Sequence, residues 1–286
     1  MKKITLKYVI IITILLGFWS KTTSLLAQSI WLPQSDVNSI TIEALKPNFD
    51  SEFGFSTASA AIFLSGRFSI KENVFFIVEL PFVHSNRDEI KIVNPATGEI
   101  FFQIDPESET MIGNPYIGFE FHRTGSRIFT EVGIQAPIAS DDKPDAAQFG
   151  VSADFDRIEA FAPHLLKISG KINYYNKNSS NVVVRLRGGP TVWIPTEEGD
   201  AELLADYSAQ VGYVGKQISI IGGLTGRMIV TESDIDIGER TSHHLGASAF
   251  LISGALQPGI HVKFPLDEAF DNINYVLGVT LAIQLK

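Results

Sequence analysis

The chain reads as an all-β protein, an antiparallel up-and-down transmembrane β-barrel of about 12 strands. Three observations predict it. The last fourteen residues place bulky apolar side chains at Ile273, Tyr275, Leu277, Val279, Leu281, Ile283 and Leu285. Between them stand Asn274, Gly278, Thr280, Ala282, Gln284 and Lys286, small or polar, with Val276 the one exception. A tilted strand needs ~9–11 residues to cross a bilayer, whereas soluble strands average ~5–6. Second, Lys2, Lys3 and Lys7 precede an apolar run from Tyr8 to Trp19, the pattern of a secretory signal. Third, short and long connections alternate along the chain, as periplasmic turns and outer loops do in outer-membrane barrels.

Cleavage of the signal is expected between Ala27 and Gln28, giving a signal peptide at 1–27 and a barrel at 28–286 in the cell outer membrane. The apolar run is too short for a spanning helix of ~20 residues. The chain has no Cys, which excludes a disulfide framework and a lipid-bearing cysteine.

Period-two alternation and turn residues mark the strands in order. Asn38–Lys46 comes first; Ala58–Ile70 and Val74–Ser85 then flank Lys71-Glu72-Asn73. Ile112–Arg123 and Arg127–Ala139 flank Thr124-Gly125-Ser126, and Pro163–Asn176 and Asn181–Pro195 flank 177–180. Leu203–Gly215 and Gln217–Val230 meet at a tight turn around Lys216. Ser242–Ile252 and Ala255–Pro265 meet at Ser253-Gly254, and Ile273–Lys286 ends the chain. An even strand number puts both termini on the side of the short turns. Pro81, Pro137, Pro195 and Pro265 fall near outer strand ends, where a residue without an N–H costs no ladder bond. Residues 146–160 read as a short helix in the third outer loop, with Phe149, Phe155 and Ile158 apolar.

Charge is segregated. The six long connections, at 47–57, 86–111, 140–162, 196–202, 231–241 and 266–272, hold 25 of the 32 acidic residues and five basic ones. The acidic loops are expected to face outward, and they exclude a nucleic-acid surface, which needs the opposite sign.

The segment Gly113-Asn114-Pro115-Tyr116-Ile117-Gly118-Phe119-Glu120-Phe121, with Val78–Val83 (VELPFV) and Arg185–Pro195 (RLRGGPTVWIP), resembles the outer-membrane transporter family named for the meta-pathway of phenol degradation. The likeness extends over residues 56–286. It departs from the family's pattern at Asn114, where the family has Asp, and at Lys286, where many such barrels end on an aromatic residue. The resemblance implies passage of small, hydrophobic or aromatic molecules across the outer membrane.

With the phase of the last strand, the lumen-facing charges are Glu43, Arg67, Glu79, Glu120, Arg127, Glu131, Lys167, Lys171, Arg185, Arg187, Asp206, Arg227 and Lys263. They either pair and fill the interior or line a conduit. Lys167, Lys171, Arg185 and Arg187, on adjacent strands, form a basic stripe suited to anions. A lipid hydrolase is the enzymatic rival, with Ser242-His243-His244 as its only candidate and no Gly-x-Ser-x-Gly elbow, so no catalytic residue is assigned. Asp234, Asp236, Glu239 and His243 are the one set that resembles a cation site. No cofactor is expected. The partners this reading implies are outer-membrane lipids and lipopolysaccharide, the barrel-assembly machinery and a small-molecule solute. The remaining alternative is a structural barrel with a closed lumen.

Overall fold

The structure is a computed structural model that describes residues 29–32, 37–50, 55–56, 58–94, 97, 99–232, 236–267 and 270–285. The expected signal segment and Lys286 lie outside these residues. The strands, in chain order, begin with β1 (Ser39–Phe49), β2 (Ala60–Lys71) and β3 (Val74–Arg87). A small hairpin, β4 (Ile90–Val93) and β5 (Ile100–Ile104), follows in the second outer connection. Then come β6 (Glu107–Ile112), β7 (Tyr116–Phe121), β8 (Ile128–Gln135), β9 (Leu165–Lys177) and β10 (Val182–Pro195). The wall is completed by β11 (Glu202–Val214), β12 (Ile218–Ile229), β13 (Thr241–Leu251), β14 (Leu256–Pro265) and β15 (Ile273–Gln284).

Each wall strand pairs antiparallel with its sequence neighbours, and β1 pairs with β15 from Ser39↔Gln284 to Asn48↔Tyr275, which closes the ring. β6 and β7 both pair with β3 and occupy one position, so the wall is a closed 12-strand barrel. Closure removes the free edges that an open sheet would expose. The short turns and the two ends of the wall lie on one side, the long connections on the other.

The two faces are inverted relative to a soluble sandwich. On β15, Leu281 is 36% exposed and Thr280 only 5%. Ile42, Leu64, Ile172, Val211, Ile260 and Val279 likewise point outward and are exposed. Glu43, Arg67, Glu120 and Lys263 point inward and are buried. An apolar belt outside and a polar interior is the arrangement that hydrocarbon around the barrel demands. Leu281→Arg is therefore expected to cost ~2–4 kcal/mol in vesicle-based urea unfolding, and Thr280→Arg clearly less. Equal losses would reject this orientation of β15.

Three sequence expectations change. The continuous strand expected at Ile112–Arg123 is broken at Gly113-Asn114-Pro115. Pro115 brings no N–H to the ladder. Gly113 sits where an added Cβ would lie 2.2 Å from the Ala160 carbonyl oxygen, so only glycine lets the third outer loop approach this closely. The following strand stops at Gln135 rather than Ala139, because the Asn114 side chain accepts the N–H groups of Ile138 and Ala139, both at 2.7 Å. The helix expected over 146–160 is instead α1 (Pro144–Ala153) and a single 3-10 turn, Ile158–Ala160. Pro144 and Asp145 suit the first turn of α1. Asp154 ends it: its carboxylate accepts the Asp156 N–H at 3.0 Å, a local bond that competes with helix.

Candidate functional site in the barrel interior

The third outer connection does not stand outside the barrel; it folds into it. Phe149, Ala153, Asp154, Glu159, Ala160 and Phe161 are all fully buried. Phe149 packs on Phe49 and Phe55, and Phe161 meets Phe63 edge-on at 5.5 Å. A second insert comes from the N-terminal side, where Trp31 and Leu32 are buried. Trp31 donates its indole N–H to Asp156 at 3.0 Å and lies against Gly246, where a Cβ would meet its ring at 2.5 Å.

Asn114 pins the loop. Its amide donates to the carbonyls of Glu159 (2.8 Å) and Ala162 (2.7 Å) while its oxygen takes the two N–H groups named above. Two donations and two acceptances use the full hydrogen-bonding capacity of a side-chain amide. A carboxylate has no donor to offer here, which gives the departure to Asn a physical reason.

The loop carries charges that complete the wall. Arg157 bridges Glu43, Glu79 (2.6 Å) and Asp154 (2.6 Å), with its guanidinium 3.6 Å from the Phe63 ring centre. Lys263 pairs with Asp154 at 2.6 Å and Asp156 at 3.2 Å, and His244 approaches Asp156 at 3.0 Å. Burial opposes the charge of Asp156, but His244 and Lys263 outweigh it and hold its carboxyl well below the usual range. Glu159 receives Lys167 (3.3 Å), Arg227 (2.8 Å) and the Trp193 indole (2.8 Å). Carboxylates of this loop thus neutralise basic side chains of the wall.

The remaining inward charges pair within the wall. Arg187 meets Glu131 at 3.0 Å, and Glu131 also accepts the Tyr116 hydroxyl at 2.7 Å. Asp206 holds Lys171 and Arg227, the latter at 2.6 Å. Arg67 and His122 share Glu120 at 2.9 and 3.0 Å, with all three side chains fully buried. The expected basic stripe is therefore not a free electropositive track: Lys167, Lys171 and Arg187 each have a carboxylate. Arg185 has none among the described residues. Arg127 also departs from the set, since it precedes β8 and is exposed.

A cavity of about 110 Å³ remains between the loop and the β7–β13 wall, lined in part by Tyr116, Glu131, Lys171, Arg187, Asp206 and Phe155. A smaller one of about 30 Å³ lies beside it, toward the short turns, and shares Ile30, Arg187 and Ser208 with the first.

The rival sites take other arrangements. Ser242 lines the larger cavity, whereas His243, next along the strand, points outward, so the two form no dyad. His243 is engaged by the Tyr207 hydroxyl at 2.6 Å and by Asp267 at 3.4 Å. Of the set resembling a cation site, Asp234 lies outside the described residues. Among the described residues no group of three or more such side chains is disposed to hold a metal.

The sequence missed Asn114, Arg157 and the loop carboxylates as interior groups. The run Asp154-Phe155-Asp156-Arg157-Ile158-Glu159 was the available signal, since a solvated loop has little use for apolar residues between its charges.

No family model matches the chain, and no curated protein does. The likeness to the phenol meta-pathway family therefore rests on the residues quoted above. Among solved structures, the barrel is similar to the COG4313 outer membrane channel from Pseudomonas putida F1, with a TM-score of 0.55 and 11% identity over 91% of this chain and 100% of that one. The NanC porin (TM-score 0.45, 7% identity, 86% of this chain and 100% of that one) is more distant. So is the transport unit of the autotransporter AIDA-I from Escherichia coli (0.45, 10%, 98% and 97%). The fold is that of outer-membrane β-barrels.

Proposed function

We propose that this protein is an outer-membrane channel for passive passage of small hydrophobic or aromatic molecules. The observation that carries this reading is the interrupted wall. Above Pro115, β6 has a strand partner on one side only, β3; on the other side the chain after Gln135 forms no strand and turns inward to α1. Backbone away from a paired ladder is tolerated at membrane depth only where protein covers it or where it lines a cavity. Here it lies beside an occupied lumen, and Ile112 and Ile138 are exposed around it. An apolar solute that enters from outside has a sideways route to the bilayer that a fully paired wall would deny it. The partners of this reading are outer-membrane lipids, lipopolysaccharide, the assembly machinery and the solute; no catalytic step is part of it.

The packed interior favours a second reading, a structural barrel with a closed lumen. Cells expressing the protein separate the two. Uptake of the neutral aromatic dye 1-N-phenylnaphthylamine is expected to rise several-fold over cells lacking the protein, while the refolded protein carries little ion current. Unchanged uptake would leave the structural reading.

A further inference from the structure

We propose that the inner end of the lumen holds a binding site for a small organic carboxylate, built around Arg185. This residue is 7% exposed and stands on β10 directly opposite Gln210 of β11, while Asn173 of β9 stands opposite its neighbour Arg187. One guanidinium nitrogen, Nη1, donates to the Leu32 carbonyl at 2.8 Å and the Ile30 carbonyl at 3.3 Å. The other two, Nε and Nη2, have no hydrogen-bond partner. Neither do the side-chain amide nitrogens of Asn173 and Gln210, which are 6% and 5% exposed.

All four orphans are donors. Every other basic side chain discussed in the interior has a carboxylate; among the described residues this one has only two carbonyls and a distant ring, Tyr175, at 5.8 Å. An uncompensated buried cation and four unmet donors are costly, so an acceptor that carries negative charge is the group that completes this site. The free nitrogens are Nε and Nη2, the side-on fork that receives the two oxygens of a carboxylate in parallel. These residues line a cavity of about 30 Å³, and Ile30 and Phe129 give it an apolar border. Three shared residues separate it from the larger cavity, which offers room for the rest of a small acid. The site does not depend on the channel reading, because binding is measured without transport.

The test is calorimetry of the refolded full-length protein in detergent with benzoate, its neutral analogue benzyl alcohol, and acetate as competitor. Benzoate is expected to bind one to one, with benzyl alcohol at least tenfold weaker and acetate displacing benzoate. Gln210→Glu supplies a resident carboxylate opposite Arg185 and is expected to weaken benzoate at least tenfold while the protein keeps its heat-modifiable folded band. If that variant does not refold, Arg185→Gln carries the same expectation. Absence of benzoate binding to the unmodified protein, equal affinity for benzyl alcohol, or unchanged affinity in the folded variant would each overturn the proposal.

Discussion

Replacing Arg157 by Gln is expected to release the third outer loop from the lumen and raise the ion conductance of the refolded protein well above its resting level. Arg157 alone bridges Glu43, Glu79 and Asp154, two from the wall and one from the loop. Removing one partner of a buried ion pair costs ~3–5 kcal/mol, because the remaining charges stay buried without compensation. Here Asp154 keeps Lys263, but Glu43 and Glu79 lose the guanidinium that separates them from it, and separation of the loop from β1 and β3 is the movement that relieves them. The barrel itself keeps its ladders, so the folded band on unheated gels is expected to persist while chymotrypsin gains access to Phe149, Phe155 and Phe161. Arg157→Lys should recover part of the closure, since an ammonium supplies the charge but not a fork that reaches three partners. A resting conductance unchanged from the parent protein, with the band intact, would show that apolar packing around Phe149 and Phe161 holds the loop by itself.

Asn114→Asp is the second large effect. The substitution keeps the size of the side chain and removes its donors. The carbonyls of Glu159 and Ala162, at 2.8 and 2.7 Å, then face a carboxylate oxygen instead of an amide N–H. Each buried group left without a partner costs on the order of 1–3 kcal/mol, before the burial of the new charge is counted. Trypsin cleavage at Arg157 should therefore be several-fold faster in the variant than in the parent, and equal rates would mean that the loop does not depend on Asn114 for its position.

The positions of Arg157 and Asn114 show where sequence reasoning reached and where it stopped. Period-two alternation in Ile273–Lys286 and the short turns could be read directly, because every strand of a barrel obeys one local rule: apolar outward, small or polar inward. The strand break was less legible. Gly113 and Pro115 are unsuited to the middle of a ladder, but period-two alternation resumes after them at Tyr116, so the pattern reads as one strand. The acidic third loop was assigned to the outer surface because charge normally seeks water. Only the apolar neighbours Phe155 and Ile158 distinguish Asp154 and Glu159 from the exposed Asp141 and Asp142.

The wall is legible residue by residue: its strand count, its closure by an even number of strands, the side of its turns, and the phase that puts Leu281 outside and Thr280 inside. Each follows from backbone geometry and a hydrocarbon surround, both of which act on one strand or one turn at a time. The content of the lumen is not legible in that way and emerges from the three-dimensional arrangement. Whether Lys167, Lys171 and Arg187 form a free basic track or lie neutralised depends on carboxylates that come from other strands or from a loop folded back across the barrel. Whether Arg185 stays without a carboxylate depends on the same placement. Long-range pairing of charges obeys no sequence period, and in a low-dielectric interior it is strong enough to hold a loop against its preference for water.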